Sequence, residues 1–402
     1  MKNGIRITLI LLLIGMMTMS ACFAQESVEI PVLSIARREI PENEAMQYMK
    51  KLGVGWNLGN TFDAINGNTT GVSAGEMALE TSWCGVKTSE TMFDAIRDAG
   101  FRTLRLPVSW HNHVTGDDYQ ISERWLNRVQ QVLDWAVSRD LYVILNIHHD
   151  EDQFLPSSAH YEESSRYIQS IWSQLAARFR DYDEHLIFES MNEPRLVGTD
   201  YEWYFNKAVP ACRDAAKCLN DLNQLFVDTV RATGGNNADR YLMVPGYDAS
   251  PDGVLNEYFR LPQDPADNRL IVSVHAYTPY SFALQDKGTT AFSVKSQQQT
   301  SEIVNFMNSL YNRYIKNGIP VIIGEYGARD KDNLADRVRY AAFYTATASA
   351  RNIPSVWWDN GAFMGQGELF GVLNRRKAQF AYPEIIDAIM TYAGYEKLPE
   401  AK

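Results

Sequence analysis

Short apolar runs alternate with longer amphipathic ones along almost the whole chain, with no low-complexity linker or charge block after the first residues. Eight of the short runs read as strands: Val54–Asn57, Thr103–Pro107, Tyr142–Ile147, Leu186–Glu189, Tyr241–Val244, Leu270–Val274, Val321–Gly324 and Ser355–Trp358. Each is β-branched or aromatic in character and bounded by turn residues, as parallel strands covered on both faces are. In Thr91–Gly100, Met92, Ala95, Ile96 and Ala99 recur at helical spacing and Gly100 stops the turn. Trp125–Ser138, Arg166–Phe179, Leu222–Ala232, Ser301–Lys316 and Arg337–Ala350 repeat that pattern. Crossovers of this kind share one hand, so strand then helix, eight times, predicts an α/β fold closed into a (β/α)8 TIM barrel in a single domain. An open doubly wound sheet is the alternative. Its glycine-rich phosphate loop is missing, because Gly53-Val54-Gly55 lacks a third glycine in register.

The 402 residues suit one large barrel. Residues 45–396 are expected to form it, after a linker over 25–44 and a targeting segment over 1–24. In that segment Lys2 and Arg6 precede the apolar run Ile7–Ile14, which is too short to span a membrane. Ser20-Ala21 before Cys22 fits a lipoprotein cleavage box, and cleavage after Ala24 is the plain secretory reading. Either way the chain is expected to be exported: secreted, periplasmic or anchored to the bacterial outer membrane, with membrane contact only through a lipid on Cys22. In that oxidising setting Cys212 and Cys218 form a local disulfide only if a loop separates them, and Pro210 offers a break. The net charge of −11 argues against nucleic acid as a partner and for a neutral polymer. Nine Trp and 21 Tyr supply more aromatic surface than a core demands, so some is expected to face ligand.

The fourth and seventh strands each run straight into a glutamate, Glu193 after Leu186–Glu189 and Glu325 after Val321–Gly324. Carboxylates at the ends of parallel barrel strands converge on the catalytic face. Two of them about 5 to 5.5 Å apart are what glycoside cleavage with retention needs, one protonating the leaving oxygen while the other attacks the anomeric carbon. Glu189, in mid-strand, reads instead as a buried structural carboxylate paired with an arginine. His148-His149-Asp150, with His111 and His113, invites a metal reading. Adjacent strand residues point to opposite sides, and no set of His and carboxylate ligands stands out, so no metal or other cofactor is expected.

Seven strings carry a resemblance: Gly55-Trp56-Asn57-Leu58-Gly59-Asn60-Thr61, Arg105-Leu106-Pro107-Val108-Ser109-Trp110, Asn146-Ile147-His148-His149, Asn192-Glu193-Pro194, His275-Ala276-Tyr277, Gly324-Glu325-Tyr326 and Trp357-Trp358-Asp359-Asn360-Gly361. In order from the first strand to the eighth, with none at the fifth, they resemble family 5 glycoside hydrolases, and the first string resembles the subfamily that cuts β-1,4-glucans. The resemblance implies a retaining endo-β-1,4-glucanase with Glu193 as acid/base and Glu325 as nucleophile. It implies substrate contacts from Asn60, Arg105, His148, His149, Asn192, His275, Tyr277 and Trp358, with Arg105 and Tyr277 donating to Glu325 and His275 beside Glu193. Trp83, in a loop after the first strand, is the leading candidate for a sugar platform, ahead of Trp110, Trp203, Tyr280 and Tyr326. Cys84 beside it departs from the subfamily's usual glycine. Cellulose, mixed-linkage glucan and xyloglucan all remain open as substrates. A β-mannanase or glucomannanase on the same scaffold, and a non-catalytic glycan-binding lipoprotein, are the alternatives.

Overall fold

A computed structural model describes residues 28–400, so the targeting segment and the lipid attachment expected at Cys22 lie outside the described residues. Eight parallel strands close into a barrel in sequential order. They are β1 (Val54–Asn57), β2 (Thr103–Leu106), β3 (Tyr142–Asn146), β4 (Leu186–Glu189), β5 (Leu242–Pro245), β6 (Leu270–His275), β7 (Val321–Tyr326) and β8 (Ser355–Trp357). Nearly every strand residue is buried, as expected of strands with side chains inside and helices outside. Eight helices of nine residues or more surround them: α1 (Glu44–Leu52), α2 (Glu90–Asp98), α3 (Glu123–Val137), α4 (Tyr161–Arg178), α5 (Pro210–Ala232), α6 (Gln297–Arg313), α7 (Leu334–Ser349) and α8 (Pro383–Tyr392). The crossover from β5 to β6 is shortened and carries only the helix Pro251–Leu255.

α1 comes before the first strand and closes the barrel floor. Asn43 caps it by accepting from the Met46 N–H at 2.8 Å, and Lys50 and Lys51 in the last turn complement the helix dipole. Tyr48 on its buried face stacks on Tyr241 with ring centroids 3.8 Å apart. Residues 28–43, within the expected linker over 25–44, run into α1 largely without helix or strand. Val28, Ile30, Leu33 and Ile35 alternate along an extended segment and pack on the core. Tyr392 of α8 pins that segment by accepting from the Leu33 N–H at 2.9 Å and donating to the Pro31 carbonyl at 2.6 Å.

The local disulfide does not form. Pro210 is the first residue of α5 and starts the helix instead of breaking it, since the missing N–H costs nothing there. Cys212 and Cys218 are therefore two buried free thiols on one helix, roughly 120° apart around its axis.

Candidate active site

Glu325 owes its aim to a bulge. Across β6 and β7, Val274 pairs with Ile323 but His275 pairs with Glu325, and across β7 and β8, Ser355 pairs with Ile323 while Trp357 pairs with Tyr326. One extra residue thus sits in β7 between Ile323 and Tyr326, a device that re-aims a side chain at a barrel rim. It also explains why β6 and β7 extend beyond their expected ends to include His275 and Glu325. Gly324 allows the turn: a Cβ there would lie 3.1 Å from His275 Nε2, while its carbonyl accepts from Asn57 Nδ2 at 2.9 Å.

One guanidinium ties this strand to its neighbours. Arg105 on β2 donates Nε to Glu189 at 2.8 Å, Nη1 to Glu325 at 2.6 Å and to Asn57 at 3.2 Å, and Nη2 to Asn192 at 2.8 Å. Glu189 therefore has the arginine partner expected of it, and Ser273 completes its shell with a hydroxyl at 2.7 Å. Tyr277 donates to the other oxygen of Glu325 at 2.8 Å. Asn192 accepts Arg105 through Oδ1, which leaves its N–H2 group as a donor without a partner among the described residues.

Glu193 follows β4 by four residues and meets His275, whose Nδ1 lies 2.8 Å from Oε1. One oxygen from each glutamate and a ring nitrogen of His275 all lie within 4.8 Å of one another. Burial raises Glu193, but the His275 hydrogen bond and charge, helped by Arg195, bring it below its ordinary value. Burial works against the His275 charge, and the two carboxylates outweigh it and raise His275. For Glu325, burial is again largest; His275, Arg105 and Tyr277 pull down without cancelling it, Glu193 pushes up, and the carboxyl rests above its usual range. The opposite movements of Glu193 and His275 describe one proton shared across their hydrogen bond. The buried Nε2 of His275 has no hydrogen-bond partner, and it carries an N–H whichever of the two groups holds the shared proton.

The cleft walls add aromatic and charged surface. Trp358, just past β8, lies parallel to His148 with centroids 5.9 Å apart, and Gly59 packs so tightly beneath it that a Cβ would fall 2.7 Å from the indole. Asn60 follows in left-handed backbone, its N–H held by Asp63 at 2.8 Å. His148 and His149 do not point to opposite sides as expected. β3 ends at Asn146, strand alternation ends with it, and the two rings meet edge to face at 4.4 Å. Burial holds His148 well below the usual histidine range. His149 also suffers from burial, but Glu151, with Asp63 and Glu193 behind it, lifts it to about 9. Trp83 lies 5.6 Å from the His149 ring and is 44% exposed.

Of the other aromatics, Trp203 and Tyr280 are each 60% exposed, whereas Trp110 and Tyr326 are fully buried core residues. Trp110 gives its indole N–H to the Asn146 carbonyl at 3.0 Å. His111 and His113 are structural too: His111 is bound to Asp150 and to the Gly67 carbonyl, and His113 stacks on Trp125 at 3.6 Å. Sequence reasoning missed three charged groups beside Glu193. Arg195 donates to the Glu193 carbonyl at 2.9 Å and to Glu151 at 2.9 Å, and its guanidinium covers one face of Trp203 at 4.1 Å. Asp248, past β5, feels the charges of Glu193 and Arg195. Glu368, past β8, feels those of Glu193 and Glu325. Their acidic or basic character was visible, but nothing in their sequence neighbourhood set them apart from surface charges.

Comparison with known proteins agrees with this geometry. The cellulase family, glycosyl hydrolase family 5, matches residues 64–364. Endoglucanase 1 of Ruminococcus albus is 40% identical over 93% of this chain and 88% of its own length. A glycoside hydrolase family 5 lichenase from a Caldicellulosiruptor species, solved as a mutant with cellotetraose, is 51% identical with a TM-score of 0.89 over 91% of this chain and 100% of that one. A GH5-4 broad-specificity endoglucanase of Ruminococcus champanellensis with bound cellotriose is 42% identical with a TM-score of 0.81, over 88% and 100% of the two chains.

Proposed function

This chain belongs to the cellulase family, glycosyl hydrolase family 5, and from that premise we propose that it is an endo-β-1,4-glucanase cleaving internal bonds of β-glucans with retention. The observation that carries the mechanism is the meeting of Glu193 and Glu325 across His275, with one oxygen of each no more than 4.8 Å apart, a gap compatible with the roughly 5–5.5 Å carboxyl separation of retaining enzymes.

Glu325 attacks the anomeric carbon while Glu193 gives its proton to the departing oxygen, and the C–O bond to the leaving sugar breaks. Water, deprotonated by Glu193, then attacks the anomeric carbon from the face the leaving sugar vacated, opposite Glu325, and the bond to the Glu325 oxygen breaks to release the sugar with its configuration kept. Arg105 and Tyr277 hold Glu325 in line and favour its carboxylate as the leaving group of the second step. A sugar filling the cleft expels water, which penalises a Glu193–His275 charge-separated pair and returns the shared proton to Glu193. The free N–H2 of Asn192 is available to the 2-hydroxyl, a contact that strengthens as the oxocarbenium-like state forms. Trp358 supplies an apolar floor for the C–H face of a sugar, and Trp83 a second platform farther out. Mixed-linkage glucan and cellulose are the substrate classes we assign, reached after export by the N-terminal segment.

The decisive experiment is Glu325→Ala. Hydrolysis of barley β-glucan and carboxymethylcellulose should vanish, and added azide should restore turnover as the glycosyl azide of inverted configuration. Wild-type hydrolysis in that variant would remove Glu325 from the reaction.

A further inference from the structure

Just past β5 the backbone is strained at two successive non-glycine residues, Asp248 with φ 57° and Ala249 with φ 45°. Left-handed backbone is disfavoured for L-residues, and two in succession persist only where the surroundings enforce them. Here they do. The Asp248 N–H donates to the Pro194 carbonyl at 2.9 Å, directly beside Glu193. The preceding Tyr247 hydroxyl donates to the Tyr201 carbonyl at 2.7 Å and accepts from the Leu196 N–H at 3.0 Å. The loop that presents Asp248 is thereby locked to the loop that presents Glu193 and Arg195.

The side chain so placed has no hydrogen bond or ion pair among the described residues, although it is half-buried. Arg195 is not its partner: that guanidinium is engaged by Glu151 at 2.9 Å, Glu202 at 3.2 Å and the Glu193 carbonyl, with Trp203 on its face. A fixed, unpartnered polar group therefore sits on the loop bonded to Pro194, close enough to Glu193 and Arg195 to feel both charges. We propose that Asp248 is a specificity-determining residue of the leaving-group side of the cleft, donating a hydrogen bond from its carboxyl to a hydroxyl of the departing glucosyl unit. It enters as the neutral acid, because burial first and the Glu193 charge second push its pKa up to about 9, against the pull of Arg195. Glu202 adds to the upward push.

This inference rests on the reading of Glu193 as the acid, and the test keeps the two apart. It compares kcat/KM for cellotetraose, which fills the leaving-group side with sugar, with that for an aryl cellobioside, which does not. Asp248→Gly relieves the left-handed strain while removing the whole side chain, carboxyl included, so the variant should fold. The cellotetraose-to-aryl ratio should fall about tenfold in Asp248→Gly, equivalent to about 1.4 kcal/mol, and by less than about threefold in Asp248→Asn, which keeps an N–H donor and tolerates this backbone. A ratio within about twofold of wild type in Asp248→Gly, or equal losses in both variants, overturns the proposal. The acid assignment fails separately, if Glu193→Ala is as slow on the aryl substrate as on cellotetraose.

Discussion

Arg105 and Glu325 meet through a 2.6 Å hydrogen bond with almost no solvent between them and the barrel interior, the arginine fully buried and the carboxylate nearly so. The same guanidinium neutralises Glu189 one layer deeper. A single cation therefore compensates both a structural carboxylate and the one expected to react, so the stability of the core and the aim of the proposed nucleophile cannot be varied independently.

Arg105→Ala leaves Glu189 and Glu325 buried without their cation and should destabilise the fold by about 3–5 kcal/mol. Arg105→Lys keeps the charge but cannot span Glu189, Glu325 and Asn192 together, so it should stay folded and lose turnover by about 10²-fold. Urea denaturation and β-glucan hydrolysis measure the two. An alanine variant within about 1 kcal/mol of wild type would mean the ion pairs contribute little.

Glu193→Ala removes the proposed proton donor but not the proposed nucleophile. Cellotetraose, with a poor leaving group, should lose about 10²–10⁴-fold in kcat/KM, while an activated dinitrophenyl cellobioside should lose far less. Matching losses on both substrates would count against Glu193 as the acid.

Gly324→Ala tests the bulge. The added Cβ would crowd His275 Nε2 at 3.1 Å, and His275 cannot retreat without loosening its 2.8 Å contact to Glu193. Activity should therefore fall by about tenfold or more while thermal unfolding moves little, since a misplacement near 1 Å is enough to harm catalysis. A variant with unimpaired kcat would show that His275 has slack.

Most of the barrel was legible because doubly covered parallel strands must be continuous apolar runs, and the two glutamates stood out because they end such runs. What escaped was set by through-space context. Trp110 and Trp203 look alike in sequence, yet one is sealed in the core and the other is 60% exposed on an arginine. His148 and His149 defied strand alternation because β3 stops two residues earlier than His148. Residues 28–43 looked like a linker because their partner, Tyr392, lies at the other end of the chain. Asp248 and Ala249 adopt positive φ without a glycine to announce it.

His149 and Glu151 make a pH-dependent contribution to stability whose sign follows from their shifts. His149 is raised from 6.5 to about 9 by Glu151, Asp63 and Glu193 acting against burial, so what it contributes is complete below pH 6.5 and is lost as pH rises through about 9. Glu151 is lowered from 4.5 to about 2, with His149 and Arg195 overcoming burial, so its contribution is present above pH 4.5 and is lost as pH falls through about 2. Both act fully only between pH 4.5 and 6.5. His149→Asn deletes the cation but leaves Glu151 its contact with Arg195 at 2.9 Å, so the variant should fold. The difference in Tm between wild type and His149→Asn should be greatest inside that window and should shrink toward zero at about pH 10, where the wild-type ring is neutral too. A difference that holds constant to pH 10, or widens there, would show that His149 stabilises the cleft wall by packing against Trp83 and His148 and not by charge.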